Sequence, residues 1–296
     1  MWTERPTPGG LVAKTVTLLA VAVVVLFPVY VVVVTSLARQ SDVNDAGGLV
    51  VILRHIDFGA YQQILAGGVV TRSLLVSLGV TTVGTLLSTS VVVLAAYGLS
   101  WPGTFAHRFL LSAVLLTFLF SPGLIPLYLT VRGLNLLDTY AVLVLVTGVP
   151  LMAFNLVILR SFFMSIPQEL FDSARIDGAS ELRILTAIAM RLSKGVIAVI
   201  ALFFGVSYWN NFFNALLFLN SPEKWPLQLV LRTYVLQGAG LPGSQFAQGA
   251  VHGAAPAPTL ATQMAVVVLA IVPVLLVYPF VQRHFIQGVI IGAVKG

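Results

Sequence analysis

The chain has 296 residues, of which 58% are hydrophobic and only 9% are charged. Soluble domains carry about 25% charged residues, so this composition excludes a water-soluble globular protein and indicates an integral membrane protein. The sixteen Lys and Arg exceed the ten Asp and Glu, for a net charge of +6, but they are scattered singly and form no nucleic-acid-binding motif. The sequence contains no cysteine and no HExxH pattern, so we expect neither disulfides nor a metal site.

Six apolar stretches are long enough to cross a bilayer, which takes about 20 helical residues. The run from Thr15 to Val34 is longer than a signal-peptide core of about 7 to 15 residues, which predicts an uncleaved first span. We therefore expect an all-α protein whose residues 1–296 form a single transmembrane domain of about six helices. The stretches lie near residues 13–37, 73–99, 108–130, 139–160, 195–219 and 260–281.

Basic residues predict the orientation, because they concentrate in cytoplasmic connections. With both termini in the cytoplasm, ten of the sixteen lie inside and six outside. This arrangement places the polar segment 161–194 inside and the loop 220–258 outside. The inside residues are Arg5, Lys14, Arg108, Arg160, Arg175, Arg183, Arg191, Lys194, Arg283 and Lys295, and the outside residues are Arg39, Arg54, Arg72, Arg132, Lys224 and Arg232.

The inner segment 161–194 predicts two short helices separated by a glycine. Pro167 suits the first turn of the first helix, and Glu169 and Asp172 lie near its positive N-terminal end. Gly178 can adopt positive backbone angles and is expected to end that helix. The second helix is amphipathic and could dock in a groove of another protein or lie on lipid headgroups. Its apolar face holds Leu182, Leu185, Ala189 and Leu192.

The spacing of this loop resembles a motif of the permeases of binding-protein-dependent ABC importers, which reads EAA, three residues, Gly, nine residues and I-x-L-P. Asp172-Ser173-Ala174 stands at the EAA position, Gly178 is the glycine and Ile188 is the isoleucine. Met190-Arg191 stands where the motif has Leu-Pro, so the sequence departs from the motif next to the junction with the following span. The wider string IPQELFDSARIDGAS at 166–180 is similar to the carbohydrate branch of that family, the maltose-type permeases.

Two other stretches extend the resemblance over most of the chain. Residues 208–216 read YWNNFFNAL and are similar to the fifth span of the same branch, and the tail GAVKG at 292–296 matches its ending. The final string FIQGVIIGAVKG is similar to the subgroup that takes up oligosaccharides or polysaccharide fragments. The spans hold few ionisable residues, which also suits a neutral, hydroxyl-rich solute such as a sugar.

The resemblance implies a permease subunit of an ATP-driven importer, which passes an oligosaccharide from an extracytoplasmic sugar-binding protein across the cytoplasmic (inner) membrane. It implies three kinds of partner: a second permease subunit in a heterodimer, two cytoplasmic ATPase subunits, and the binding protein. The chain lacks the G-x-x-x-x-G-K-[ST] phosphate loop, so we expect it to be no enzyme and to hold no cofactor, with ATP and Mg bound by the ATPase subunits.

The resemblance also implies which residues couple the permease to the ATPase. We expect Gly178 to form the turn, Asp172, Arg175 and Asp177 to make polar docking contacts, and Leu182 and Leu185 to form the apolar face. In the alternative, Arg175 pairs with Asp172 and the leucines pack on the chain's own spans. The coupling-loop candidates are Glu169, Asp172, Ser173, Ala174, Arg175, Asp177, Gly178, Ala179, Leu182 and Leu185.

Four residues near the end of the fifth stretch are candidates for the translocation path, because they combine an aromatic face with amides. Helix packing through interhelical hydrogen bonds is the alternative role. These residues are Trp209, Asn210, Asn211 and Asn214.

Three rival functions remain. A secondary, ion-coupled transporter should place ionisable residues well inside its spans, and none of the six stretches does so. An intramembrane enzyme needs a catalytic constellation, and the sequence shows no such pattern. A purely structural membrane protein would leave the charged two-helix loop unexplained.

Overall fold

The protein is described by a computed structural model that covers residues 8–66, 68–120, 122–238 and 259–293. Regular structure in these ranges is helical, with no β-strand. The helices are α1 (Pro8–Ser36), α2 (Gln40–Asp45), α3 (Gly59–Ala66), α4 (Val69–Ser100), α5 (His107–Leu119), α6 (Leu124–Gly133), α7 (Tyr140–Met164), α8 (Gln168–Ile176), α9 (Glu181–Ile184), a π turn (Leu185–Ala189), α10 (Met190–Leu192), α11 (Lys194–Trp209), α12 (Phe213–Phe218), a 3₁₀ turn (Pro222–Lys224), α13 (Leu227–Gly238) and α14 (Leu260–Ala293).

Four of the described helices are long and apolar enough to cross a membrane, and the number rises to six if two bent helix pairs each count as one span. The four are α1, α4, α7 and α14, which match the first, second, fourth and sixth predicted stretches. The all-α membrane fold is therefore confirmed. The lengths show why: the 25 residues of α7 rise about 38 Å, which exceeds a hydrocarbon core of about 30 Å.

The third and fifth predicted stretches are interrupted. The third is divided between α5 and α6, and the break contains Pro122, which cannot donate a helical hydrogen bond. The fifth begins as α11, which meets the Glu181–Leu192 segment at 86°. It ends at Trp209 and resumes as α12 at Phe213, so the stretch predicted near 195–219 is helical on both sides of a break at residues 210–212.

The described residues form two compact units, one within residues 1–70 and 233–271 and the other within residues 71–232 and 272–296. In the first unit, the end of α1 packs against the connection that follows it. Val34 and Val50 are buried there, and the Val50 backbone N–H donates to the Thr35 hydroxyl at 2.9 Å. The rest of α1 is exposed, since only 6% of its apolar window is buried.

The second unit holds both candidate sites. Its core joins α4, α7 and α11 to the helices that follow α7, through fully buried side chains such as Leu159, Ile184, Ile200 and Phe204. Tyr208 of α11 packs so closely on α4 that a Cβ at Gly84 would lie 2.6 Å from its ring. Glycine is therefore required at this contact.

Part of the predicted outer loop and tail lies outside the described residues. The loop 220–258 is described as far as Gly238, where it contains the 3₁₀ turn and α13. Residues 239–258 and the last three residues of the GAVKG tail are outside the described ranges.

Candidate functional site

A two-helix loop, residues 168–192, follows α7 and forms the first candidate site. Helix α8 ends at Ile176, the turn passes through Gly178 with φ of +79°, and the second helical segment begins at Glu181. Backbone N–H groups of Gly178 and Ala179 donate to carbonyls of α8 at 3.0 and 2.9 Å, which satisfies groups that a helix end leaves free. The helix, glycine turn and helix predicted from the sequence are confirmed, although Pro167 precedes α8 instead of lying in its first turn.

The second helical segment buries part of the predicted apolar face and exposes the rest. Leu185 is 3% exposed and packs in the protein's own core beside Ile184 and Ala189, whereas Leu182 is 66% exposed. Positions 184, 185, 188 and 189 lie on one inward face of the helix, and a π turn at Leu185–Ala189 widens the helix there. Leu185 therefore packs on the chain's own spans, which is the alternative role left open for it, and docking of the exposed Leu182 on a partner stays a prediction.

Arg175 is the centre of a polar cluster that joins both loop helices to the end of α4. Its Nε donates to Glu181 Oε1 at 2.9 Å, and its Nη1 lies 3.3 Å from Asp172 Oδ1. The Tyr97 hydroxyl donates to the other Glu181 oxygen at 2.7 Å. The guanidinium also stacks 4.4 Å from the ring centre of Trp101. We call these five residues the Arg175 cluster.

Hydrogen bonds set the charges in the Arg175 cluster. Those donated by Arg175 and then Tyr97 lower the pKa of the Glu181 carboxyl, and the same contact with Glu181 raises the pKa of Arg175. Both groups are therefore ionised at neutral pH. The pairing of Arg175 with Asp172, left open by the sequence, is present, and Arg175 is engaged within the chain.

The remaining loop candidates fall into two groups. Those exposed around the turn are Glu169, Asp172, Ser173, Asp177, Gly178 and Leu182, while Ala174, Arg175 and Ala179 are half-buried. The turn also exposes Ile176, which is 87% exposed and which the sequence reasoning did not single out. Ile176 and Leu182 flank Gly178, so the exposed apolar surface of the loop lies at its turn.

Sequence reasoning also missed Glu181, Tyr97 and Trp101. Tyr97 and Glu181 are 84 residues apart, so no local pattern could join them. A signal that could have been used is the single acidic residue Glu181, which begins a helix and stands beside the glycine turn.

A cleft between α7 and the break that follows α11 forms the second candidate site. It has a volume of about 340 Å³ and is lined by Val146, Thr147, Pro150, Leu151, Ser207, Asn211 and Asn214. The amides of Asn211 and Asn214 both donate to the Thr147 hydroxyl. The Asn211 side chain accepts from the Asn214 backbone N–H at 3.1 Å, which caps the start of α12 and holds the break open.

Two of the four predicted path residues therefore line the cleft and two do not. Trp209 is 5% exposed within the core, and the Asn210 amide donates to the Val206 carbonyl of its own helix at 3.0 Å. The bonds of Asn211 and Asn214 to Thr147 also join α7 to the break, so helix packing and cleft lining are combined in these residues.

Asn155 continues the cleft-lining face of α7. Thr147, Leu151 and Asn155 are four residues apart, which places them on one face of the helix. Asn155 is completely buried, and among the described residues neither its amide nitrogen nor its oxygen has a hydrogen-bond partner. Asn155 is therefore the second polar side chain on this face of α7, after Thr147, and leaving its buried amide unpaired is energetically costly.

Asp138 fastens the other end of α7 to the chain after α12. It accepts from the Ser221 hydroxyl and from Lys224 Nζ, both at 2.7 Å, and from the backbone N–H groups of Asn220 and Ser221. These bonds hold the pKa of the Asp138 carboxyl well below its usual range, and the bond from Lys224 has the largest effect. These contacts therefore fix the start of α7 to the chain that follows the break and α12.

Comparison with known proteins identifies the family. No family model matches the chain. It is 41% identical over 279 residues to the polygalacturonan/rhamnogalacturonan transport system permease protein YtcP of Bacillus subtilis (strain 168), covering 94% of this chain and 96% of that one. It is 28% identical over 297 residues to the arabinooligosaccharides transport system permease protein AraQ of the same organism, with 96% of each covered.

A solved structure is similar over nearly the whole chain. It is a crystal structure of a bacterial ABC transporter involved in the import of the acidic polysaccharide alginate, with a TM-score of 0.79, 30% identity, and coverage of 96% of this chain and 99% of that one. These relatives are transport subunits and not enzymes, and nothing in them favours an ion-coupled secondary transporter. The chain belongs to the family of permease subunits of sugar ABC importers and is a multi-pass membrane protein.

Proposed function

We propose that this permease pairs with a second, different permease subunit in the cytoplasmic (inner) membrane and imports an acidic oligosaccharide. An extracytoplasmic sugar-binding protein delivers the cargo, and two cytoplasmic ATPase subunits bind the ATP and Mg²⁺ that power its movement. The observation that carries the proposal is the two-helix loop, which exposes a glycine turn while its opposite face is buried in the permease core.

The geometry of the loop supports its use as an ATPase-docking element. Ile176 and Leu182 are 87% and 66% exposed beside Gly178, and burying each in a partner groove would contribute roughly 1.5 to 3 kcal/mol. The exposed Asp172 and Asp177 supply a polar rim. Since Leu185 and the Arg175 cluster fix the loop to the spans, a push on the turn would reach α4 and α7.

The surface of the long helices supports a second permease subunit. Only 6% of the apolar window of α1, 22% of that of α4 and 44% of that of α7 is buried within the chain. Lipid can cover such surfaces, but the polar side chains of Asn211 and Asn214 in the cleft would need a protein wall to keep lipid away from them. Family resemblance favours a companion of different sequence.

The relatives support an acidic cargo. One relative, at 41% identity, is named for polygalacturonan and rhamnogalacturonan transport, and the solved structure at 30% identity is that of a transporter involved in the import of alginate. Galacturonan and alginate are both built of uronic acids, whose rings carry hydroxyls and one carboxylate each. A neutral arabinooligosaccharide, as in the name of the relative at 28% identity, is the second candidate.

The test is reconstitution of the chain with its companion permease, ATPase and binding protein in proteoliposomes. We expect ATP-dependent uptake of trigalacturonate at a rate at least several times that of arabinotriose. An Asp172→Lys change should lower ATPase copurification, while Asp45→Lys, an exposed charge reversal on α2, should not. Absence of any copurifying ATPase would refute the importer, whereas preference for arabinotriose would refute only the acidic cargo.

A further inference from the structure

Arg232 lies beside the break that opens the cleft. It is exposed on α13, and its guanidinium carbon lies 5.1 Å from the ring centre of Phe212. Phe212 belongs to the break itself, directly after the cleft-lining Asn211 and two residues before Asn214. Arg232 and Phe212 are therefore in contact, and Asn211 and Asn214, which line the cleft, stand close to Phe212 in the sequence.

The guanidinium of Arg232 is available for an external anion. Among the described residues, no carboxylate oxygen lies within 4.0 Å of it, although two neighbouring cations on this side have acidic partners. Lys224 is 2.7 Å from Asp138, and Arg72 is 4.0 Å from Glu223. Stacking on Phe212 holds the Arg232 side chain in place and leaves its N–H groups free to bind.

Exposed rings accompany this charge. Phe212 and Phe213 are 38% and 49% exposed and meet edge to face, with ring centres 6.4 Å apart. Such rings offer apolar surface to the C–H face of a sugar, and the amides of Asn211 and Asn214 can bond to its hydroxyls. A guanidinium pairs with a carboxylate through two parallel hydrogen bonds, which an amide or hydroxyl cannot reproduce.

We propose that Arg232 and Phe212, with Asn211 and Asn214, form a subsite for one uronate unit of the cargo. Arg232 binds the sugar carboxylate, the ring of Phe212 positions the guanidinium, and the amides bind hydroxyls as the unit enters the cleft. This subsite rests on the proposed function, because a neutral cargo offers no carboxylate. It assigns the selection of acidic cargo partly to the permease and not to the binding protein alone.

The test compares Arg232→Gln, Arg232→Lys and Arg72→Gln in the complete transporter with its binding protein in proteoliposomes. Arg72→Gln is the matched control, because Arg72 is an exposed arginine of the same unit whose side chain is 60% exposed. We expect Arg232→Gln to lower trigalacturonate uptake about tenfold or more, Arg232→Lys to retain an intermediate rate, and Arg72→Gln to stay near wild type.

Two further measurements separate binding from folding. The melting temperature and the ATP hydrolysis rate without cargo should match wild type in all three variants. Wild-type uptake by Arg232→Gln would overturn the subsite, and so would a parallel loss of cargo-free ATP hydrolysis or melting temperature, which would show a structural role. If the wild-type transporter imports arabinotriose but no trigalacturonate, the acidic cargo is refuted and the subsite with it.

Discussion

Removal of the Glu181 carboxylate should loosen the two-helix loop from the end of α4. Glu181 receives a 2.7 Å hydrogen bond from the partly buried Tyr97 hydroxyl and a 2.9 Å bond from Arg175. A hydrogen bond to a charged group contributes about 1.5 kcal/mol at the low end of its range. The ion pair is partly exposed, 35% for Arg175 and 59% for Glu181, so it adds about 0.5 kcal/mol. We expect Glu181→Ala to destabilise the protein by about 2 kcal/mol.

Matched variants isolate the two contacts. Tyr97→Phe removes one hydroxyl, and the pair of changes should show a coupling energy of about 1 to 2 kcal/mol between positions 97 and 181. Asp172→Ala removes only the exposed 3.3 Å contact with Arg175 and should cost under about 1 kcal/mol. Urea unfolding in detergent of the four variants, including the double mutant, measures these differences.

The same variants test how the loop transmits force. Because the loop should still dock through Ile176, Gly178 and Leu182, we expect Glu181→Ala to copurify with the ATPase. The number of ATP molecules hydrolysed per sugar imported should rise severalfold, since movement of the loop reaches α4 less completely. Zero coupling energy between Tyr97 and Glu181, or an ATP-to-sugar ratio equal to that of wild type, would refute this reasoning.

Three other changes follow from the structure. Gly178→Ala should destabilise the loop by about 1 kcal/mol in urea unfolding, because φ at this residue is +79°, although an added Cβ would meet no atom within 4 Å. Gly178→Asn should cost less, since asparagine tolerates positive φ better than alanine does. Equal and large losses of ATPase binding in both variants would contradict this reasoning. Asn155→Leu removes an unpaired buried amide and should stabilise the protein by about 1 to 3 kcal/mol while lowering uptake; a loss of stability would contradict it. Acidification below about pH 4 should weaken the contacts of Asp138, because the pH then approaches the lowered pKa of its carboxyl. Lys224→Met should therefore lower the free energy of unfolding most at neutral pH and little in acid. A difference between wild type and variant that does not change with pH would contradict this.

Local features of the sequence were sufficient for much of the fold. Composition and run length predict the long helices α1, α4, α7 and α14, since a bilayer-spanning helix is recognised within about 20 residues. The turn at Gly178 is predicted for a similar reason, because a glycine between two helical patterns marks one position where the backbone needs a positive φ. Both features are determined by residues that are close together in the sequence.

The features that the sequence did not predict depend on contacts between distant segments. Leu185 is buried and Leu182 is exposed because of what packs against each side of the helix, which periodicity alone does not show. The Arg175 cluster joins Tyr97 to Glu181, and Arg232 of α13 contacts Phe212, which precedes α12. The break at residues 210–212 is stabilised by the Asn211 side chain, whose bonds to Thr147 of α7 and to Asn214 cannot be read from the string YWNNFFNAL.

Crosslinking from Leu182 tests the central claim most directly. The chain contains no cysteine, so a single Leu182→Cys change gives one reactive site for a photoactivatable thiol reagent. Leu134→Cys, at a position 63% exposed on the side expected to face outward, is the control. In the assembled transporter we expect Leu182→Cys to capture the ATPase subunit in a nucleotide-dependent yield and Leu134→Cys to capture none. No ATPase product from Leu182→Cys, or an equal yield from both positions, would contradict the assignment of this loop.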